Sequence, residues 1–596
     1  MCGICGVSYD DKKVVGDMCE VLAHRGPNAD GVYTDKKITF GHQRLAVIDL
    51  DPRSNQPFVY SHKNDEVVVV YNGEIYNFLN IKKKLEEKGY KFKTTSDTEV
   101  ICAAYLEYRE RCVTLFDGMF AFAIYDGSKI FFARDFAGEK PFYYFYDGNV
   151  FCFASELKAL LKVVDKLTID QQAIDYYLSF NFIPAPFTVY NEIKKLPAAH
   201  YGFFDLHKRS LVIKSYRYFP PYSPESNIEK KVELALERSI KSRLISDVPL
   251  GVILSAGLDS TSVAYFASKE IENLAAYSVE FEINDESFLA KKLAEELGLN
   301  FVQVPFTKDD FYKYRDIVFK QHDEPFGDHS AFPTTKVAQF ARKDMTVALS
   351  GDGGDEIFGG YEFYQKAYLL EWIKKVHNPI LKTILNVLSP FSKNIKELNE
   401  IIDQPFQNFK SFSEEFYKYM TPEAKAISRE KMKGLLAIYP FVEALTKYDY
   451  TFNNLPDHFL VKTDRATMRY ALELRSPMLS KELWELSTKI PVSKKVFPQT
   501  KNILRQVMKN KLPGYILKRK KQGFGAPIIE YMIEDKDTIV DIFERLKNRE
   551  EVKKHSKLLS YVIDKTRKGE KILNSMQYRV YALEMWFEYW WDNRVV

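Results

Sequence analysis

Cysteine is scarce in this sequence, with six residues among 596, all of them within the first 152 positions. This number is too small for a disulfide framework in a chain of this size, so we expect reduced thiols. No apolar run approaches the ~18–20 residues that a membrane-spanning helix requires, and the amino terminus has no signal-peptide pattern. These absences indicate a soluble, cytoplasmic protein.

An excess of one charge is also absent, because 85 Lys and Arg residues stand against 81 Asp and Glu residues. The net charge of +4 and the lack of a long basic run give no electrostatic footprint for nucleic acid. The chain contains no Gly-Lys dipeptide, which excludes a GxxxxGK(S/T) phosphate loop and the γ-phosphoryl transfer that usually accompanies it. We therefore expect small-molecule partners rather than nucleic acid or membrane.

The sequence contains 46% hydrophobic and 15% aromatic residues, which is enough for more than one hydrophobic core in a chain of this length. From about residue 37 to 153, short β-rich runs end at Asn-Gly or Asp-Gly turn signals. Helical periodicity lies between these runs at 79–88 and 98–108. This texture predicts an α+β layered domain.

The texture changes after a proline-rich segment at 217–227, which cannot form a helix or a central strand. Strand and helix patterns then alternate as far as about residue 349, which predicts a parallel, doubly wound sheet. Helical patterns dominate from about 365, and the aromatic end at 585–591 is expected to be packed. The expected organisation is a first domain over 2–205, a linker over 206–227 and a second domain over 228–596.

Cys2 directly follows the initiator Met1, and its small side chain permits removal of that methionine. The residue would then carry both a thiol and a free α-amine, which titrates near ~7.7–8.0 and can accept the thiol proton. The alternative is that Cys2 and Cys5 form a redox or metal-binding CxxC pair. No second CxxC completes a zinc site and no strand precedes the pair, so an N-terminal nucleophile is favoured.

Further short motifs follow Cys2 in a fixed order. They are Cys2-Gly3-Ile4, His24-Arg25-Gly26-Pro27, Arg44-Leu45-Ala46-Val47-Ile48-Asp49, Asn72-Gly73-Glu74-Ile75-Tyr76-Asn77, Ser96-Asp97-Thr98-Glu99 and Ala133-Arg134-Asp135. This set resembles the class II, N-terminal-nucleophile glutaminases, and nearly the whole chain resembles the glutamine-hydrolysing asparagine synthetases. The resemblance implies an αββα-layered glutaminase domain, followed by an α/β doubly wound ATP-pyrophosphatase domain with a helical C-terminal lobe.

Glutamine hydrolysis explains the residue types in these motifs. Attack of a thiolate on the side-chain amide develops an oxyanion, and the resemblance assigns its donors to the Asn72 side chain and the Gly73 backbone N–H. Glutamine also carries an α-carboxylate and an α-ammonium, which require one cation and one carboxylate. By resemblance these are Arg44 and Asp97, with Glu74 in support. Any one of these charges alone would more often be a surface salt bridge, whereas the ordered set favours the binding role.

A second constellation, Leu254-Ser255-Ala256-Gly257-Leu258-Asp259-Ser260, follows a predicted strand and opens a predicted helix. Small residues there let backbone N–H groups close on an anion at a helix N-terminus. The segment resembles the SGGxDS pyrophosphate loop of the ATP pyrophosphatases, which cut ATP between its α- and β-phosphates and leave an adenylate. Ala256 replaces the usual first glycine, which is tolerable at negative φ but costs about 1 kcal/mol or more at positive φ.

The Gly- and Asp-rich segment 350–361 also follows a predicted strand. Such a cluster alone is more often a turn, but this one is long, acidic and placed where α/β sheets bind ligands. The resemblance implies that Asp259 and Asp355 hold Mg²⁺ against the polyphosphate and that Asp352, where many members have Glu, acts at the acceptor. The implied ATP contacts are Leu254, Ser255, Gly257, Asp259, Ser260, Val279, Ser350 and Gly351.

Two later stretches complete the resemblance. Residues 455–457, 462–466 and 473–477 resemble the helical lobe of the family, and 519–525 resembles its basic loop. In that loop Lys521 aligns with the lysine that neutralises charge during adenylation and pyrophosphate departure. A solvated Lys/Arg run is the alternative, although the following Gly-Phe-Gly indicates a shaped loop. The chain departs from the family at Ser480, where an Asp is usual.

The expected activity is a two-site amidotransferase that hydrolyses glutamine at Cys2 and passes ammonia to a carboxylate activated as its AMP ester. Aspartate is the expected acceptor, giving asparagine, AMP and pyrophosphate; amidation of another carboxylate, such as a sugar uronate in polysaccharide biosynthesis, is the alternative. A binding or scaffold protein descended from such an enzyme would have lost Cys2 or Asp259, and both are present. A glutaminase feeding sugar isomerisation would lack the pyrophosphate loop. The oligomeric state is open, with a homodimer among the options.

Overall fold

The computed structural model of the chain describes residues 1–282, 287–375, 420–521, 523, 525–572 and 575–593. The first 215 residues form two six-stranded antiparallel sheets, with strand orders β10-β8-β9-β1-β3-β2 and β12-β11-β7-β6-β5-β4. In chain order the strands are β1 (Gly3–Val7), β2 (Ala29–Thr34), β3 (Thr39–Arg44), β4 (Phe58–His62), β5 (Asp65–Ile75), β6 (Gly118–Tyr125), β7 (Lys129–Arg134), β8 (Tyr143–Tyr146), β9 (Phe151–Ala154), β10 (Ile193–Lys195), β11 (His200–Asp205) and β12 (Ser210–Ser215).

Both faces of these sheets are covered, which explains their nearly continuous apolar runs. Alternate residues of β5 show the arrangement, because Val68 and Val70 pack between the two sheets while Val67 and Val69 pack against helices. The helices of this part are α1 (Lys12–Leu22), α2 (Phe78–Glu86), α3 (Asp97–Tyr108), α4 (Cys112–Leu115), α5 (Leu157–Leu160) and α6 (Gln171–Phe180). The predicted helices at 79–88 and 98–108 are confirmed as α2 and α3.

The linker expected over 206–227 needs a correction. Its residues Ser210–Ser215 form β12, which pairs along its whole length with β11 at the edge of the second sheet. Residues 206–209 form the turn between β11 and β12, and the segment that contains the prolines, from 216 to 227, has neither helix nor strand. Composition locates the proline-rich part but gives no sign of the short edge strand before it.

The chain then forms a five-stranded sheet with the order β15-β14-β13-β16-β17, in which every pair is parallel. Its strands are β13 (Leu250–Ile253), β14 (Ala275–Phe281), β15 (Asn300–Phe306), β16 (Val347–Leu349) and β17 (Glu473–Arg475). The helices between them are α7 (Glu229–Ser242), α8 (Leu258–Ser268), α9 (Ser287–Glu296), α10 (Lys308–Gln321), α11 (Ala331–Ala341), α12 (Gly354–Phe358) and α13 (Glu362–Lys375).

Helices cover both faces of the parallel sheet, as the alternating pattern predicted. Ala276 faces the core that α7, α8 and α9 share, whereas its neighbour Tyr277 faces the core that α10 and α11 share. The carboxyl ends of β13, β14 and β16 therefore open at one edge between two helical layers. In open α/β sheets this edge is where ligands bind.

Helices dominate the described chain beyond residue 420. They are α14 (Pro422–Leu436), α15 (Phe441–Thr451), α16 (Leu460–Met468), α17 (Lys481–Ser487), α18 (Val492–Val496), α19 (Asn502–Met508), α20 (Gly514–Leu517), α21 (Ile528–Glu534), α22 (Lys536–Lys547), α23 (Ser556–Arg567) and α24 (Met576–Trp586). The helical pattern predicted at 376–419 lies outside the described residues. The aromatic end is packed as predicted, because Trp586, Phe587 and Trp590 are buried. Among the described helices, none has the length and apolarity to cross a bilayer.

Candidate active sites

A small pocket of about 30 Å³ lies where the chain enters β1, beside the ends of β3 and β5. Predicted residues from widely separated motifs meet in its lining, namely Cys2, Arg44, Gly73, Glu74 and Asp97. Asn72 lies next to it, since its Oδ1 accepts a hydrogen bond of 2.9 Å from the Cys2 backbone N–H. Burial raises the pKa of the Cys2 thiol. The structure thus brings together every residue that the sequence assigned to glutamine.

Two hydrogen-bond donors next to the Cys2 thiol fit an oxyanion. The Asn72 side chain is fully buried, and its Nδ2 has no hydrogen-bond partner within the described chain. The next residue, Gly73, has φ +153°, and a Cβ built there would lie 2.0 Å from the Met119 carbonyl oxygen. Only glycine fits this approach between β5 and β6. An unpartnered buried amide beside a nucleophile is the donor arrangement that a developing oxyanion needs.

The charged residues of the pocket are held by neighbouring groups. Asp97 accepts hydrogen bonds of 2.8 Å from both the Tyr71 hydroxyl and the Ile75 N–H. Burial raises the pKa of Asp97 to about 6, although these two donors favour its charged form. Burial also raises the pKa of Glu74 well above its ordinary value, with Asp97 adding to the effect. A ligand ammonium entering here would favour the charged forms of both carboxylates.

Arg44 is positioned by the loop that follows β3. Its guanidinium donates 3.0 Å to the Asp51 carbonyl and 2.6 Å to Asn55 Oδ1, and it also contacts the Asp49 carbonyl. Arg44 is 6% exposed and lines the same pocket as the two carboxylates. It therefore places a fixed positive charge in the pocket where a ligand carboxylate could bind it.

Met1 is present in the structure and reaches into the second part of the chain. Its ammonium pairs with Glu473 Oε2 at 2.7 Å, and Arg475 Nε pairs with the other oxygen at 2.7 Å. Burial alone would raise the pKa of Glu473, but these two cations lower it to about 2. With Met1 attached, the nitrogen of Cys2 is a peptide N–H and cannot act as an amine base.

Apolar side chains fill the space between this pocket and the parallel sheet. Met1 packs with residues from both parts of the chain, which are Leu45, Val47, Tyr76, Met119, Val347, Met468 and Ala471. Val347 begins β16, whose carboxyl end carries Ser350, and Met468 ends α16. The cluster therefore places the Cys2 pocket beside β16 and α16, and residues at the end of β16 and on α16 also line the second site described below.

A cavity of about 730 Å³ opens at the carboxyl edge of the parallel sheet. Most of the residues assigned to ATP, metal and acceptor line it, namely Ser255, Gly257, Asp259, Ser260, Val279, Ser350, Gly351, Asp352, Asp355 and Lys521. Leu254 is the exception, because it lies in the core under the sheet and its N–H donates 2.8 Å to the Tyr277 carbonyl. The prediction of an ATP contact at Leu254 therefore has no support from its side chain.

The loop before α8 leaves backbone donors free for an anion. α8 begins at Leu258, and its N-cap Gly257 supplies no side-chain acceptor for the first-turn N–H groups. Ser260 closes the loop, since its hydroxyl accepts from the Ser255 N–H at 3.2 Å and donates to the Gly257 carbonyl at 3.2 Å. A Cβ at Gly351 would lie 2.6 Å from the Ser260 nitrogen, so β16 approaches this turn through glycine. The geometry suits a phosphate group.

Ala256 adopts φ +50° in this loop, the left-handed conformation in which the sequence predicted a cost. We expect Ala256→Gly to raise the free energy of unfolding of this domain by about 1 kcal/mol, because glycine adopts that conformation without strain. Ala264→Gly, inside α8, is the matched control and should lower it by about 1 kcal/mol. Urea unfolding of both variants measures these changes. An equal loss of unfolding free energy in the two variants would contradict the strain at Ala256.

Two lysines and two carboxylates converge beside the loop. Lys501 pairs with Asp259 and lies 2.7 Å from Asp355 Oδ1, while Lys521 Nζ lies 2.5 Å from Asp355 Oδ2. Burial would raise the pKa of Asp355, but the two lysines lower it to about 2. Burial raises the pKa of Asp259, even though Lys501 opposes it. Lys501 was not predicted, because a lone lysine after Thr500 carries no sequence signal of its position.

These carboxylates also fit a divalent cation. Asp259 Oδ1 is buried and lacks a hydrogen-bond partner within the described chain. A Cβ at Gly354 would lie 2.6 Å from that oxygen, so the glycine leaves its approach open. The described residues contain no cluster of three or more metal-binding side chains, so a cation here would need oxygens from a phosphate group or water as well.

Two departures from the family pattern have local explanations. Asp352 lines the cavity and accepts 2.8 Å from the Ser350 hydroxyl. Ser480 is buried outside the cavity lining and caps α17, where its hydroxyl accepts 3.3 Å from the Leu483 N–H. Since Ser and Asp are both good N-caps, the replacement preserves the start of that helix. In the basic loop, residues 522 and 524 lie outside the described residues.

A buried ion network joins the two sites and was not predicted. Arg25 donates 3.1 Å to the Cys2 carbonyl and binds Asp464 with two hydrogen bonds of 2.8 and 3.0 Å. The next residue, Arg465, lies 2.9 Å from both Glu156 and Asp323. Asp464 and Arg465 belong to α16, which also lines the large cavity. Helix α16 therefore contacts both sites.

Comparison with known proteins gives two family matches. The glutamine amidotransferase domain family matches residues 1–218, and the asparagine synthase family matches residues 231–588. The putative asparagine synthetase [glutamine-hydrolyzing] 2 of Methanocaldococcus jannaschii is 36% identical over 510 residues, which are 78% of this chain and 98% of that protein. The asparagine synthetase [glutamine-hydrolyzing] 1 of Bacillus subtilis is 32% identical over 561 residues, or 89% and 88% of the two chains.

Among solved structures, the allosteric regulatory enzyme of purine biosynthesis is similar at 15% identity and a TM-score of 0.30. The similarity covers 51% of this chain and 80% of that one. At this distance the similarity adds nothing to the sequence relationships.

Proposed function

Because the chain belongs to the asparagine synthase family, we propose that it transfers the amide nitrogen of glutamine to aspartate, with ATP converted to AMP and pyrophosphate. One observation carries the proposal: the Cys2 pocket lies beside an Asn72 Nδ2 that has no partner within the described chain, and the apolar cluster beside that pocket reaches α16, which lines a cavity with a phosphate loop. The relatives described above are named for asparagine rather than for a uronate product.

At the first site the proposed chemistry begins with removal of Met1. The freed α-amine of Cys2 accepts the thiol proton, and the thiolate attacks the carbon of the glutamine side-chain amide. The C–N bond then breaks, the Cys2 ammonium returns the proton to the departing ammonia, and water hydrolyses the remaining glutamyl thioester to glutamate. Asn72 Nδ2 and the Gly73 N–H donate to the oxyanion, while Arg44 binds the α-carboxylate and Asp97, supported by Glu74, binds the α-ammonium. This assignment makes the two-sheet part an N-terminal-nucleophile glutaminase.

Ammonia released at Cys2 would cross the apolar cluster. Removal of Met1 leaves space between Cys2 and the side chains of Val347 and Met468. Apolar walls favour neutral ammonia over ammonium, because burying an unpaired charge is costly. Thr467, next to Met468, already lines the large cavity, so the path ends at the second site.

At the second site the loop before α8 would bind the polyphosphate of ATP, as in the ATP pyrophosphatases. Ser255, Gly257, Ser260, Ser350 and Gly351 surround the nucleotide, and Val279 provides an apolar contact. Asp259 and Asp355 would hold Mg²⁺, which neutralises charge on the phosphates. The acceptor carboxylate attacks the α-phosphorus, pyrophosphate leaves beside Lys501 and Lys521, and ammonia then displaces AMP. Asp352 faces the same cavity and is assigned to the acceptor.

The remaining assignments belong to the same proposal. We assign residues 2–215, which include β12, to the glutaminase domain and residues 228–596 to the synthetase domain. A cytoplasmic location follows from the substrates, since ATP and glutamine are cytoplasmic metabolites. A homodimer stays among the options.

Adenylate formation can be tested at Lys521 with Lys520 as its matched neighbour. We expect Lys521→Ala to slow ATP–pyrophosphate exchange far more than it weakens ATP binding, because its ammonium contacts Asp355 where charge gathers on departing pyrophosphate. Lys520→Ala should have little effect, because Lys520 also lines the cavity but pairs with neither Asp259 nor Asp355 among the described residues. Lys521→Arg should rescue only in part, since a planar guanidinium cannot reproduce a compact charge. Equal, mild effects of both alanine variants would indicate that the loop is a solvated Lys/Arg run with no role in adenylate formation.

A further inference from the structure

One wall of the large cavity has no role in the chemistry described so far. It is formed by the residues that precede α11 and by the start of α16, and these two helices pack against each other. Its polar members are Asp328, His329, Ser330, His458 and Lys462. We refer to these five residues as the head-group wall.

The head-group wall holds one negative and one positive charge side by side. Asp328 Oδ1 accepts 2.9 Å from the Ser330 N–H and 2.6 Å from its hydroxyl, which fixes the carboxylate. Lys462 Nζ lies 3.7 Å from Asp328 Oδ2 and donates 3.1 Å to the Ser330 hydroxyl. Lys462 also lies over the Phe459 ring, 5.3 Å from its centre. Each charge therefore has a defined position and keeps unused hydrogen-bonding capacity.

His458 points to a missing ligand at this wall. It is 8% exposed, and within the described chain neither ring nitrogen has a hydrogen-bond partner, although Nε2 lies 3.4 Å from Asp328 Oδ2. Burial lowers the pKa of His458 to about 4, so the ring is neutral at pH 7. His329 Nδ1 is likewise buried without a partner in the described residues. Buried polar atoms are nearly always satisfied, so unsatisfied ones lining a cavity indicate a bound polar group.

We propose that the head-group wall binds the α-amino-acid end of the acceptor, with Lys462 pairing the α-carboxylate, Asp328 pairing the α-ammonium and His458 completing the hydrogen bonds. A fixed pair of opposite charges matches a zwitterion and leaves the side-chain carboxylate free to reach the phosphate loop. The inference rests on the proposed function and deepens it. A sugar uronate has no ammonium for Asp328, so the wall selects an amino dicarboxylic acid over that alternative.

The first test measures pyrophosphate release with saturating ATP and ammonium while aspartate is varied. Asp328→Asn keeps the shape of the side chain but removes its charge, and it should raise the KM for aspartate by about 10²-fold. The KM for ATP and the rate of glutamine hydrolysis should not change, and the unchanged KM for ATP shows that the part of the chain that carries Asp328 folds. Lys462→Gln should have the same pattern, whereas Asp309→Asn, on the exposed side of α10, should behave as the wild type.

The second test compares aspartate with succinate, which lacks only the ammonium group. The wild type should reject succinate, because succinate leaves Asp328 without its partner. Asp328→Asn should lower the ratio of kcat/KM for aspartate to kcat/KM for succinate. If aspartate supports turnover but the KM and the preference stay unchanged in Asp328→Asn, the head-group wall is wrong and the proposed function stands. If the wild type releases pyrophosphate with a uronate and not with aspartate, both the acceptor assignment and this inference fail.

Discussion

Asp355→Asn is expected to lower acceptor-dependent pyrophosphate release by about 10²-fold or more while glutamine hydrolysis continues at its normal rate. The carboxylate holds Lys521 at 2.5 Å and Lys501 at 2.7 Å, so an amide there releases Lys521 and leaves Lys501 paired with Asp259 alone. It also removes one of the two charges assigned to Mg²⁺. Losses of such electrostatic contacts are commonly worth several kcal/mol in the transition state.

The second carboxylate and a surface control complete this experiment. Asp259→Asn should reproduce the loss, because Asp259 contacts Lys501 and carries the unpartnered Oδ1. Asp564→Asn, in an exposed ion pair on α23, should keep full activity. Unchanged AMP formation in Asp355→Asn would mean that the cation and the lysines are held by other residues.

Cys2→Ala has the largest expected effect, which is complete loss of glutamine hydrolysis with ammonia-dependent amidation retained. The thiol lines a pocket beside the Asn72 amide and the Gly73 turn, and the cavity for ATP lies in another part of the fold. Cys5→Ala is the matched control, since this buried thiol lies outside the pocket lining and should leave hydrolysis intact.

The amino terminus offers a further arm of the same experiment. Protein that retains Met1 should be as inactive toward glutamine as Cys2→Ala. In that protein the nitrogen of Cys2 is a peptide N–H that donates a hydrogen bond to Asn72 Oδ1, so it cannot accept the thiol proton. Mass spectrometry paired with the glutaminase assay separates the two species. Hydrolysis by protein with Met1 attached would show that the proton acceptor is another group.

The elements that could be predicted from the sequence are those with strong local patterns. The valine run of β5, the alternation around β13 to β16 and the periodicity of α2 and α3 all appear where the hydrophobic spacing places them. Strands β1 and β2 and the edge strand β12 were not predicted. β1 pairs with β3, which is distant in the chain, and β12 pairs with β11 across a turn. The sequences of these strands are short and mix polar with apolar residues, so they give no clear strand pattern.

The candidate sites divide in the same way. Residues inside ordered motifs meet as expected, because the fold brings the start of β1, the ends of β3 and β5 and the start of α3 to one place. Lys501, Asp328 and His458 come from segments whose partners lie far away in the chain, so no local pattern marks them. Lys462 and Asp464 lie in the 462–466 motif, but the motif alone gave neither of them a role. Ala256 is the clearest example. The sequence showed that a positive φ at this position would be strained, but the sign of φ could be read only from the backbone of the structure.

The central claim is that the nitrogen of the product comes from glutamine through Cys2 and reaches a separate adenylating site. The most direct measurement supplies amide-¹⁵N-labelled glutamine and unlabelled ammonium together, with ATP and aspartate, to the wild type and to Cys2→Ala. The account predicts ¹⁵N-labelled asparagine from the wild type and only unlabelled asparagine, with AMP and pyrophosphate, from the variant. Labelled product from Cys2→Ala would contradict it, because glutamine nitrogen would then enter without the thiol.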